Sequence, residues 1–104
     1  MLTLLDGRVA RDCNSSVGAV KVATVKALNC LHIKVASIGK DAGDDVILAM
    51  SGERRVEVRV EALGAQSSRL HIRAQQGEHN DVHTAAEIIV STERLLRHPT
   101  GLYS

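Results

Sequence analysis

The chain has 104 residues, 44% of them hydrophobic, and its 13 Lys and Arg against 12 Asp and Glu give a formal net charge of +1. This length fits one domain of ordinary size, and the small net charge offers no bulk attraction to nucleic acid or to an anionic membrane. Tyr103 is the only aromatic residue, which disfavours functions that need base stacking or an aromatic cage.

The start of the chain is predicted to form a strand, residues 3–10, and then a turn, residues 11–15. No apolar run approaches the roughly 20 residues that a membrane span needs. The first residues, M-L-T-L-L-D-G-R, also lack the basic and apolar regions of a signal peptide. We therefore expect a cytoplasmic protein, or a periplasmic or membrane-tethered one if a leader has been removed.

Residues 16–31 are predicted to form an amphipathic helix. Ser16 is a suitable N-cap because its hydroxyl can accept from the unpaired N–H groups of the first turn. Gly18 and several β-branched residues lower the helix propensity, so the helix must be held by packing. Its apolar side chains recur at three- and four-residue spacing and make one stripe: Val17, Val20, Ala23, Thr24, Ala27, Leu28 and Leu31.

The two cysteines, Cys13 and Cys30, lie on either side of this helical pattern. A helix rises about 1.5 Å per residue, which separates the two by roughly 20 Å, beyond the reach of a disulfide bond. Neither cysteine belongs to a Cys-x-x-Cys motif. Both are therefore predicted to be free thiols.

Four strands are predicted to follow the helix, in residues 32–37, 46–50, 55–62 and 69–74. The clearest is residues 55–62, because apolar residues alternate with charged ones and only one face can be core. Segments rich in Gly, Asp or Ser predict turns in residues 39–45, 51–54 and 64–68.

A second helix is predicted over residues 82–97, after a polar connection in residues 75–80. Asp81 is a suitable N-cap, and Pro99 ends the helical pattern. Residues 99–104 are expected to be a flexible tail. The apolar stripe of this helix is weaker than that of the first: Val82, Ala85, Ala86, Ile89, Ser91, Thr92, Leu95 and Leu96.

The predicted order of elements is β-α-β-β-β-β-α, with hairpin-length connections between the later strands. This order is typical of an α+β domain. We expect a two-layer sandwich in which two helices cover one face of a mostly antiparallel sheet of about five strands. Residues 1–98 are predicted to form this single domain.

Several strings of the sequence resemble a known family. They are S-x-x-x-V-x-x-A-T-x-K-A-L-x-x-L-x-I-K-V from Ser16, K-D-A from Lys40, the valine-alternating hairpin from Gly52 and L-x-I-R from Leu70. On these strings, residues 5–96 resemble a family of small bacterial domains of unknown function, many of them tethered behind a lipoprotein signal. The resemblance implies the fold and supplies no catalytic residue. The chain departs from the family pattern at its leaderless start, at Asn14 and His32, and in residues 77–80.

The strongest metal-binding candidate is the string E-H-N-D-V-H, which contains Glu78, His79, Asp81 and His83. If the helix begins early, His79, His83 and Glu87 share one face, and imidazoles with a carboxylate suit zinc or nickel. If Asp81 caps the helix instead, His79 lies in the preceding loop. A polar loop and a solvated helix start are the simpler interpretation.

A second candidate site is the charged face of the predicted sheet. Guanidinium groups on a flat sheet can bind an anionic partner such as a phosphate or an acidic protein. Glu57 and Glu61 interrupt the patch, and RNA-binding sheets also need stacking aromatics, so nucleic acid is disfavoured. A protein contact and a solvated, salt-paired face both remain open. The predicted partner-binding residues are Arg55, Arg59, Arg69, His71 and Arg73, with Lys34 beside them.

The sequence contains no P-loop and no dinucleotide-binding motif, and no serine or cysteine nucleophile stands beside a suitably placed histidine. It favours a non-enzymatic binding or assembly module without a cofactor, which contacts a protein partner or itself through an open sheet face or an edge strand. For self-association, residues 3–10 or residues 46–50 are expected to pair with their copy. The alternative is a metal-binding or metal-dependent protein centred on His79 and His83.

Overall fold

The computed structural model describes the backbone of residues 3–5 and the whole of residues 7–97. The predicted α+β fold is confirmed, with an antiparallel sheet packed against two helices. The predicted tail, residues 99–104, lies outside the described residues. The elements in chain order are β1 (Thr3–Leu5), β2 (Arg8–Cys13), α1 (Val17–Cys30), β3 (Lys34–Asp41), β4 (Asp44–Ser51), β5 (Arg54–Gly64), β6 (Ser67–Gln76), β7 (His79–Asn80) and α2 (Val82–Arg97).

The described strands form one sheet in the order β1-β2-β6-β5-β4-β3, in which every neighbouring pair is antiparallel. This path has six strands rather than about five, because the strand predicted in residues 3–10 is two strands. A turn at Gly7, whose φ is +78°, separates them. β2 then continues to Cys13, through most of the turn predicted in residues 11–15.

The turn predicted for residues 39–45 is much shorter in the structure. β3 and β4 extend up to Ala42 and Gly43, which alone form the turn. Both have positive φ, +53° and +88°, as a two-residue hairpin turn of type I′ requires. The Gly and Asp residues around this turn are strand residues, although their composition is typical of a loop.

The polar connection predicted for residues 75–80 also contains strand. β6 continues to Gln76, and after a turn at Gly77 and Glu78 the two residues of β7 pair with β6. The N–H of Asp81 then donates to the carbonyl of Ala74 at 2.7 Å. This connection is therefore a tight hairpin that fixes where α2 begins.

The residues that flank α1 satisfy backbone groups at both of its ends. The Ser16 hydroxyl caps it by accepting from a first-turn N–H at 3.2 Å. At the other end His32 has a φ of +60°, and its N–H donates to the carbonyl of Asn29. The N–H of Ile33 donates to the carbonyl of Leu28 at 2.9 Å. These two bonds form a Schellman motif, in which a histidine occupies the left-handed position that glycine usually takes.

α2 is capped by Asp81, as predicted. Its Oδ1 accepts from the N–H of Thr84 at 3.0 Å and its Oδ2 accepts from the Thr84 hydroxyl at 2.7 Å. Arg54 Nε lies 3.1 Å from the same Oδ2. The hydrogen bonds from Thr84 and the nearby guanidinium hold the pKa of Asp81 below its ordinary value of 3.8.

The core lies between the helices and one face of the sheet. Two buried threonines, Thr24 and Thr92, satisfy their hydroxyls by donating to the carbonyl one turn earlier, at 2.7 and 2.8 Å. No described helix has the length and apolar character to cross a membrane. The largest fully buried aliphatic side chains are Leu28, Ile47, Leu70, Ile72, Ile88, Ile89, Val20, Val58 and Val60.

Candidate functional site

The face of the sheet that points away from α1 and α2, which we call the open face, carries the cationic residues that the sequence singled out. The strand register places its side chains in four rows that run across the strands. The first, the cationic row, holds Lys34, Met50, Arg55 and Gln75. The second holds Ser37, Leu48, Glu57 and Arg73. The third holds Gly39, Val46, Arg59, His71 and Ala10. The fourth, the acidic row, holds Asp41, Asp44, Glu61, Arg69 and Asp12.

Arg69 lies within the acidic row and is neutralised there. Its Nε is 2.7 Å from Oδ1 of Asp12, and its second contact to that carboxylate is 3.4 Å long. This hydrogen bond lowers the pKa of Asp12 and raises the pKa of Arg69. Four carboxylates share the row with this one guanidinium, so the row remains acidic.

Arg59 is shared among three carboxylates from three strands. Its guanidinium lies 2.9 Å from Asp41, 3.4 Å from Asp44 and 3.7 Å from Glu57. The hydrogen bond to Asp41, followed by that to Asp44, raises the pKa of Arg59. These contacts fasten the β3–β4 hairpin to β5 and leave Arg59 with little capacity for an outside anion.

His71 is nearly buried at the centre of the open face. Its ring is opposite Arg59 in the register, and its Nε2 lies 3.1 Å from Oε1 of Glu61. Only 9% of the residue is exposed. His71 therefore stabilises the sheet surface through its contact with Glu61 and is too buried to bind a partner directly.

Two of the predicted cations differ from these three. Arg73 faces Glu57 in the register. Arg55 is exposed between Met50 and Gln75, and neither it nor Lys34 forms an ion pair with a described residue. The five predicted partner-binding residues thus share one face. Of these five, Arg55 is exposed and forms no ion pair with any residue that the structure describes.

The open face also carries an apolar ridge that the sequence analysis did not assign to it. Val46, Leu48 and Met50 project from β4 on the side opposite its core residues. Leu48 is 45% and Met50 48% exposed. On β3 the small residues Ser37 and Gly39 lie opposite Leu48 and Val46. The uninterrupted apolar run of residues 46–50 could have indicated the ridge. Successive side chains of a strand point to opposite faces, so a run that is apolar throughout places apolar side chains on both faces of the sheet.

The sheet edges are less suited to contact than this ridge. β1 has three residues, and β3 has a register shift at Ala36. Lys40 of β3 projects toward the helix side, 3.4 Å from Asp45. Short edges, bulges and inward-pointing lysines oppose pairing with another chain. The expectation that residues 46–50 pair with their copy is wrong, because they lie within β4, between β3 and β5.

The histidines proposed for metal binding do not converge with Glu87 on one helix face. His79 lies in β7, before the Asp81 cap, so only His83 belongs to α2. His83 Nε2 is 3.8 Å from Oε2 of Glu87, and its side chain is 92% exposed. Among the described residues, no group of three His, Cys, Asp or Glu side chains is placed to hold a metal ion.

A second apolar surface lies on the opposite side of the molecule, between the helices. It is a groove of about 530 Å³, and its walls include Ala19 and Val22 of α1 and Leu95 and Leu96 of α2. Val22 is 55% exposed. Among the described residues that line it, Lys26 alone is charged, so they show no charge pattern that identifies an occupant.

Comparison with known proteins adds no assignment. No protein-family model matches the chain, and a search of curated proteins found no relative.

Proposed function

We propose that this protein is a non-enzymatic binding or assembly module, and that its contact surface is the part of the open face formed by β3, β4 and β5. The observation that carries the proposal is the apolar ridge of Val46, Leu48 and Met50 between small residues on one side and charged residues on the other. Contiguous exposed apolar side chains with a polar rim are typical of protein contact sites.

The composition of the rim supports a protein partner over a small anion. Arg59, Arg69 and His71 already contact carboxylates of the same chain, at 3.1 Å or less. A small anion would have to compete with those carboxylates, whereas an apolar surface can cover the ridge without disturbing them. Arg55 and Lys34 lie beside Met50 and supply uncommitted charge at the end of the ridge.

The edges of the sheet do not provide a competing surface of similar quality. Edge pairing needs a regular row of free N–H and C=O groups, and the shift at Ala36 interrupts that row on β3.

A photoreactive phenylalanine analogue at Leu48 tests the proposal directly. Leu48 is 45% exposed on the open face, and Val90 of α2, 44% exposed on the helix layer, is the matched control position. We expect illumination in lysate or at high protein concentration to give a discrete adduct from position 48 and none from position 90. Equal or absent labelling at the two positions would contradict a contact surface on the open face.

The metal-dependent alternative stays a prediction. In this alternative His79 and His83 bind zinc or nickel as a pair, and solvent supplies the remaining ligands. Titration of the purified chain with zinc, with His83→Ala as the comparison, tests it. Stoichiometric binding that the substitution abolishes would favour this alternative.

A further inference from the structure

We propose that the occupant of the open face is a second copy of the chain, related by a two-fold axis that lies between the sheets and runs across the strands. This inference rests on the proposed contact surface and adds its partner and its orientation. It follows from the distribution of charge along the strands rather than from the apolar ridge alone.

The open face has opposite charge at its two ends. The cationic row contributes Lys34 and Arg55, while the acidic row contributes four carboxylates and one guanidinium. Strands rise about 3.3 Å per residue, so Lys34 and Asp41 at the two ends of β3 are separated by roughly 20 Å. Arg59 and Arg69 pair with carboxylates of the acidic row, but four carboxylates against two guanidinium groups leave that end negative. Lys34 and Arg55 are too far away to offset this excess within one copy, and a partner of reversed polarity can do so.

A two-fold axis across the strands produces that reversal. It places β3, β4 and β5 of one copy over the same strands of the other with their directions opposed. Lys34 then lies over Asp41 of the second copy, and Arg55 over its Glu61, and each contact occurs twice. An axis parallel to the strands would instead stack cationic row on cationic row, which is unfavourable.

The same axis brings Val46 and Leu48 of the two apolar ridges together, and it places Met50 over Asp44 of the other copy. It passes between the second and third rows, so Leu48 of one copy packs against Val46 of the other, again twice. The small residues Ser37 and Gly39 leave space beside the ridge for the facing sheet. Sheets that pack face to face lie about 10 Å apart, a distance that these side chains can fill. A two-fold contact of one surface with itself closes at the dimer and does not propagate.

Charge reversal tests the orientation. Lys34 has no ion pair among the described residues. The side chain of Asp41 is 68% exposed but lies 2.9 Å from Arg59, so urea denaturation of Asp41→Lys alone is the control for loss of that ion pair. We expect Lys34→Glu to weaken the dimer at least roughly tenfold, because attraction becomes repulsion at two places. Lys34→Glu combined with Asp41→Lys should restore the dimer to within roughly threefold of the original affinity, since the reversed pair is again complementary. Lys26→Glu, on the exposed side of α1, is the control for net charge.

Sedimentation equilibrium of these purified chains separates the outcomes. Loss with Lys34→Glu, recovery in the double variant and no change with Lys26→Glu support the orientation. A dimer that resists Lys34→Glu but dissociates with Leu48→Lys overturns the orientation and keeps the contact surface. If the chain is monomeric at every concentration and position 48 forms adducts with a different protein, the occupant of the open face is not a second copy. The proposed binding function then still holds.

Discussion

Replacing Leu48 with alanine should destabilise the dimer by about twice as much free energy as it destabilises the folded protomer. Leu48→Ala removes three carbons, worth about 0.8 kcal/mol each when fully buried. Because the residue is 45% exposed in the protomer, about 1 kcal/mol of this burial is available to a partner and a similar amount stabilises the fold.

Two-fold symmetry doubles the effect on the dimer. Leu48 enters the contact twice, so the substitution should cost the dimer about 2 kcal/mol, or roughly a 30-fold increase in Kd. Val90→Ala on α2 is the matched control, because Val90 is 44% exposed but lies on the helix layer. It should change the free energy of unfolding by no more than about 1 kcal/mol and leave Kd unaltered.

Two assays separate these quantities. Sedimentation equilibrium gives the dimer Kd, and urea denaturation at a concentration far below Kd gives the free energy of unfolding of the protomer. If Leu48→Ala and Val90→Ala had the same effect on Kd, the reasoning that assigns the exposed part of Leu48 to a partner would be refuted.

Four further predictions concern the fold. Asp81→Ala should lower the free energy of unfolding by about 1 kcal/mol, and Asp81→Asn should lower it less, since asparagine keeps the cap. The pKa of Asp81 in the folded protein is below its ordinary 3.8, so the stability that its charge contributes should be present above pH 3.8 and be lost at lower pH. Urea midpoints measured over this pH range check it. Leu28→Ala, at a fully buried position, should cost about 3 kcal/mol in the same assay. His32→Gly should raise stability by roughly 0.5–1 kcal/mol, because the native φ is +60°. A thiol reagent should label exposed Cys30 in the native protein and buried Cys13 only after denaturation, since burial also raises the pKa of the Cys13 thiol.

The fold was largely readable from the sequence because its signals are local. Alternation in residues 55–62 and three- and four-residue spacing in residues 16–31 each describe one element that buries one face. Ser16 and Asp81 marked the helix starts because their side chains can satisfy first-turn N–H groups, and both do so in the structure.

The errors arose where composition and backbone geometry disagree. Residues 39–45 are rich in Gly and Asp, yet a two-residue turn at Ala42 and Gly43 suffices, and Arg59 holds Asp41 and Asp44 on the flanking strands. Gly7 was interpreted as an irregularity within one strand, but its positive φ closes a hairpin. A composition rich in Gly and Asp shows that a segment can form a turn, but it does not show how many residues the turn contains.

The candidate site was only partly predictable, because strand order is not encoded locally. Alternation correctly placed Arg55, Arg59 and Arg69 on the outward face. It could not show that Arg59 meets carboxylates of the β3–β4 hairpin, since that depends on which strands are neighbours. The exposure of Leu48 was likewise hidden, because an apolar run is equally consistent with a strand that is buried on both faces.

The mass of the unmodified chain in solution tests the central claim most directly. Light scattering over a wide concentration range, with and without zinc, should show a species of twice the 11.2 kDa chain mass that forms as concentration rises and is indifferent to zinc. A mass of 11.2 kDa at every concentration, together with no adduct from position 48 to any protein, would contradict the account of the open face as a contact surface.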